Sequence, residues 1–155
     1  MKRIGFNLAI VAFVVVALVS LIPFLGSFVI APLVVLGIGA MAGRQAAAAA
    51  SSHEANEGAK AGSIVGIGAL IGSVIGLTIL VMFVANIPAV QEYIRTSEPH
   101  PEARIPYEWM VPAGGVMGAV TGFFVGLFDF VVALVGGLLA GAVYGHNRRV
   151  PTVPA

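Results

Sequence analysis

Very few residues in this chain have the chemistry for a reaction or a binding event. One acid, Asp129, stands inside GGVMGAVTGFFVGLFDFVVALVGG, residues 114–137, a run with no other charge. A carboxylate there suits two tasks: carrying a proton or cation through an apolar layer, or joining two helices by a hydrogen bond. No Lys, Arg or His lies within the apolar runs to pair with it, and an ionised acid in hydrocarbon costs several kcal/mol. The expected form is the neutral acid, bonded to Ser73, Thr78, Thr121 or a backbone carbonyl.

The other polar groups offer less. His53 and Glu57 are four apart, so they share a helical face beside Glu54, but two ligands on a solvated helix fall short of a metal site. Helix capping and solvation explain them. His100 in EPHPE lies in a loop and His146 in YGHNRR near an interface, with no partner indicated. The chain has no cysteine, which excludes disulfides, thiolate metal sites and cysteine nucleophiles. No Ser-His-Asp order, paired-acid motif or phosphate-binding glycine loop is visible, so no catalytic residue, no cofactor, no metal and no small-molecule substrate is assigned, and the chain is not expected to be an enzyme.

Composition says what must position Asp129. Of 155 residues 59% are apolar and 10% charged, and the mean hydropathy is +1.01. A soluble fold of this size hides too little surface for that, whereas apolar spans of ~20 residues across ~30 Å of hydrocarbon account for it. The expected fold is an all-α integral membrane protein, a single domain over 1–155. Its four transmembrane helices fall at about 4–22, 24–45, 58–86 and 110–146, with an extramembrane loop over 87–109 on the outer side. Pro23 and Gly26 predict a tight turn between the first two, and Pro32 a kink or restart in the second. Ser51 and Glu54 have capping-box spacing at the start of the third helix. The proline-rich 87–109 segment reads as exposed loop, with one interfacial helical turn around Tyr93.

The last run is long enough to be one overshooting helix or two short spans, and charge separates these. With four spans, Lys2, Arg3, Arg44, Lys60, Arg148 and Arg149 share one side, and Arg95 and Arg104 lie opposite. That asymmetry is the positive-inside pattern, and it puts both termini in the cytoplasm. Five spans would divide the cations equally, and LFDF has no turn residue to break the helix. The start, MKRIGFNLAIVAFVVVALVS, has the charge and apolar run of a signal peptide, but cleavage is not expected because no small-x-small site precedes Leu21. Trp109, Tyr107 and Tyr144 belong at the interfaces. A net charge of +1, with its cations spread over several ends, argues against nucleic acid.

At 100° per residue, Gly114, Gly118, Gly122 and Gly126 climb one side of the last helix, and Gly137 and Gly141 continue near it. Asp129 falls at about 60° from Gly114, on that small face. The third helix has its own small face of Gly58, Gly62, Gly66, Gly72, Ser73 and Gly76, and small faces let backbones approach in lipid. The third and last helices are therefore expected to pack as a glycine zipper, with Ser73 as the partner of Asp129.

The glycine-rich helices, the chain length and the buried late acid resemble the four-helix proteolipid subunits of rotary ATPases, and GRQ at 43–45 resembles the polar loop of their two-helix members. That resemblance implies a proton-binding role for Asp129. The chain departs from the pattern in its striped acid-bearing helix, its lack of a clear internal repeat and its longer 86–111 loop.

Together these features suggest a small accessory subunit of the bacterial inner or plasma membrane. It would pack through glycine faces among lipids and other transmembrane subunits, in an energy-converting electron-transport or photosynthetic assembly, or with copies of itself. The alternative is a proton or ion conductor, or a small transporter, that uses Asp129.

Overall fold

In a computed structural model of the chain, residues 2–50, 53–97 and 106–149 are described. They form helix α1 (Lys2–Val19), a π-helical turn (Gly26–Ile30) leading into α2 (Ala31–Ala49), α3 (Glu54–Ala85), α4 (Pro88–Ser97) and α5 (Tyr107–Arg149). Three of these, the unit Gly26–Ala49, α3 and α5, are long and apolar enough to cross a membrane; α1 is apolar but shorter. The protein is thus an all-helical, multi-pass membrane protein.

Local sequence explains the joints. After α1, Phe24 takes a left-handed conformation with φ 58° beside Pro23, and the chain reverses. Gly26 is needed at this turn, because a Cβ there would collide with the Val19 carbonyl. The π turn ends where Pro32 enters the first turn of α2. Proline has no N–H for residue 28 and its ring crowds that carbonyl, so the backbone restarts there as a regular helix. His53 closes the start of α3 with φ 59° and makes no side-chain cap bond; Ser51, expected in a capping box, lies outside the described residues.

The connection after α3 differs from its expected form. A ten-residue helix, α4, occupies Pro88–Ser97 in place of a loop with a single turn. Pro88 suits a first helical turn, and the Gln91 amide donates to the Ala85 carbonyl at 2.8 Å, tying α4 to the end of α3. The last run is one helix of 43 residues, roughly 65 Å long. Pro112 stands inside the helix, beyond the first four residues, whose N–H groups have no helical partner, so the Glu108 carbonyl on the second residue of α5 loses its N–H donor there.

Glycine contacts set the topology. A Cβ added at Gly62 would lie 2.5 Å from the Ala133 carbonyl, at Gly126 2.8 Å from the Leu70 Cα, and at Gly118 2.6 Å from the Leu77 carbonyl. Along this series one helix rises in number as the other falls, so α3 and α5 are antiparallel. Gly72 meets Phe13 and Gly76 meets Ala17, so α1 runs parallel to α3; Gly39 meets Ala133 and Gly43 meets Gly137, so α2 runs parallel to α5.

The sizes of the side chains are sorted from inside to outside. Val16, Val35 and Val65 are the bulkiest fully buried apolar side chains, and the core is otherwise mostly alanine and glycine. Seven of the nine phenylalanines are exposed, from Phe6 to Phe128. Water would penalise that surface and hydrocarbon would not. The small interior keeps the helices close by van der Waals packing, the attraction that remains between helices in lipid.

Candidate functional site

Asp129 and Ser73 are both fully buried, and the Ser73 hydroxyl donates to Asp129 Oδ2 at 2.8 Å. The residues are not at the same height: Gly66 packs on Phe130, and Gly122 on Ser73 and Val74. Helical side chains lean toward their own N-terminus. In an antiparallel pair those leans converge, so Asp129 reaches along α5 and Ser73 along α3 until they meet. The other expected partners are elsewhere. Thr78 donates to its own helix at the Val74 carbonyl, 2.6 Å away, and Thr121 is exposed.

The second carboxyl oxygen, Asp129 Oδ1, is buried with no hydrogen-bond partner in the protein, as are Ser20 Oγ and Ser27 Oγ. Ser20 abuts Gly76, three residues on from Ser73. Ser27 lines a cleft of about 220 Å³ with Val125 and Phe128, a turn and one residue before Asp129. Both lie toward the α1–α2 turn, so the unpartnered oxygens occupy one half of the bundle. Sequence reasoning did not single out these two serines. Each stands in an unremarkable apolar stretch, and only the fold turns it inward.

The other half is closed by backbone. Gly62, Gly137 and Gly141 bring α3 against α5, a Cβ at Gly141 lying 2.6 Å from the Glu54 carbonyl, while Gly39 brings α2 onto the same stretch of α5 at 2.5 Å from the Ala133 carbonyl. Gly58 joins α5 at Gly137, and Gly66 at Phe130. Gly114 meets Ala85 and Val81, extending the seam.

Gly72 and Gly76 depart from the expected arrangement. With Gly68 they face α1, not α5: a Cβ at Gly72 would lie 2.6 Å from the Phe13 carbonyl and one at Gly76 2.7 Å from the Ala17 carbonyl. A small face some 120° wide can serve two neighbours, and glycine carries no side chain to say which. Gly39 and Gly43, which meet Ala133 and Gly137, carry in their spacing of four the same sequence signal as the other stripes.

The remaining candidates do not join the site. Glu57 pairs with Lys60 at 2.6 Å, His53 and His146 are exposed, and His100 lies outside the described residues. Among the described residues no three His, Cys, Asp or Glu side chains cluster as a metal site would require. No family model matches the chain, and no curated protein and no solved structure is significantly similar to it.

Proposed function

We infer that the chain is a four-span membrane protein, both ends cytoplasmic, acting as a small accessory subunit that packs into a larger membrane assembly or with copies of itself. The observation that carries this reading is the sorting of sizes: a glycine and alanine interior that fixes the helices, under an outer surface of Phe, Ile and Leu suited to lipid or to another apolar subunit. The fourth span is α1. It runs parallel to α3 from Gly5 beside Ile64 to Ser20 beside Gly76, so it shares the depth of a helix long enough to cross. Glycine-zipper packing of α3 on α5 supplies the rigid unit, and the charge asymmetry between ends supports cytoplasmic termini. The work is structural, with no reaction assigned to the chain.

The topology is testable because the chain has no cysteine of its own. Single cysteines near residues 24 and 95 should react with an impermeant maleimide from outside the cell, and one near 45 should not; the reverse would overturn the orientation. Photo-crosslinking from Phe124 in native membranes should yield protein adducts, and adducts with lipid alone would remove the subunit reading.

A second reading rests on the unpartnered oxygens. Asp129 Oδ1, Ser27 and Ser20 are spread through one half of the bundle, where waters could bring protons to the acid from the α1–α2 side. Proteoliposomes carrying Asp129→Asn should then lose proton flux, and flux equal to the parent protein would exclude the acid from conduction.

A further inference from the structure

On the outer surface α2 and α5 leave a groove of about 560 Å³, within the roughly 300–1,000 Å³ of pockets that hold organic ligands. Its floor is small, at Ala40 and Ala140, and its sides are apolar, at Leu36 and Leu139. Its mouth is polar: Arg44, Tyr144 and Asn147 stand together there. Among the described residues no carboxylate lines the groove, and Arg44 has neither an ion pair nor a hydrogen bond. A second cation is adjacent, since Arg148 lies over the Tyr144 ring, 5.3 Å from its centroid, and donates to the Ala50 carbonyl at 3.4 Å.

We propose that this groove is a binding site for one anionic phospholipid, with the phosphate at Arg44, Tyr144 and Asn147 and an acyl chain along Leu36 and Leu139. The proposal rests on the membrane reading above. An apolar trough that ends in an uncompensated guanidinium complements an amphiphile with an anionic head. Guanidinium presents paired donors to phosphate oxygens, and basic pockets between transmembrane helices at the cytoplasmic face recognise such headgroups. Free phosphate would use the mouth and leave the trough unused; a zwitterionic lipid would fill the trough but bring a positive charge toward Arg44 and Arg148. The small floor is essential, because a large side chain at position 140 would fill the space meant for the chain.

The test is native mass spectrometry of the full chain in mild detergent, with phosphatidylglycerol or phosphatidylcholine of matched acyl chains. Phosphatidylglycerol should stay bound at least fivefold more than phosphatidylcholine. Its adduct should fall at least fivefold in Arg44→Gln and in Ala140→Phe, with Arg95→Gln unchanged and helix content by circular dichroism equal in all. Excess inorganic phosphate should not displace it. Equal binding of the two lipids, retention in both groove variants, or displacement by phosphate would overturn the site. Recovery of the chain in the soluble fraction without detergent would instead overturn the membrane reading on which it rests.

Discussion

The two halves of the bundle hold α5 differently. From Ala133 to Gly141, α5 is gripped on two sides, by Gly39 and Gly43 of α2 and by Gly58 and Gly62 of α3. From Gly114 to Asp129 the nearest neighbours of its glycines all belong to α3, while the π turn that leads into α2 holds Ser27 buried and unpartnered. In both halves α3 and α5 bring backbone where a Cβ would stand, as at Gly62 and at Gly118 and Gly122; the first half adds α2 on a second side, and the second holds the unpartnered serines. Two-sided packing and polar chemistry therefore occupy separate stretches of one helix, and Asp129 sits at their border.

The largest effect should come from spoiling the doubly gripped half. In Gly137→Leu the new side chain meets Gly62 Cα at 2.8 Å and the Gly58 backbone, with no flexible neighbour to yield, and the cost should be about 3 kcal/mol in a detergent unfolding titration. Gly126→Leu is next. Its Cβ would lie 2.8 Å from the Leu70 Cα, and its three nearest neighbours all belong to that one residue of α3, so about half that loss is expected. Equal losses at the two positions would erase the distinction between the halves.

Removing the polar contact should cost less. Ser73→Ala deletes the donor to Asp129 Oδ2 and should destabilise by about 1 kcal/mol; no loss at all would mean the bond does not hold the helices. A double-mutant cycle of Ser73→Ala with Asp129→Ala should give a coupling of about 0.6 kcal/mol, the usual size for a hydrogen bond between membrane helices. The smallest effect belongs to Gly37→Leu, since a Cβ at Gly37 meets nothing within 4 Å, and stability should change by less than about 0.5 kcal/mol.

Much of this arrangement is legible in sequence where periodicity carries it. Regular spacing puts Gly118, Gly122 and Asp129 on one face, and the apolar runs place the long helices. Other parts depend on information that no local pattern holds. Whether Gly72 and Gly76 face α1 or α5 depends on where α1 packs, and glycine has no side chain to record the answer. Ser20 and Ser27 become interior because the hairpin turns them inward. The helix α4 was hidden by prolines read as breakers, although Pro88 starts it; its tie to Ala85 through Gln91 is a tertiary contact.

The central claim, a packing subunit with its small residues already spent on internal contacts and its bulky ones turned outward, is tested most directly by native mass spectrometry and native gel of the chain extracted in mild detergent. The account expects a species heavier than the 15.8 kDa chain, either an integer multiple of it or a complex with another subunit. A lone chain of 15.8 kDa, from membranes in which cross-linking also finds no protein neighbour, would contradict it.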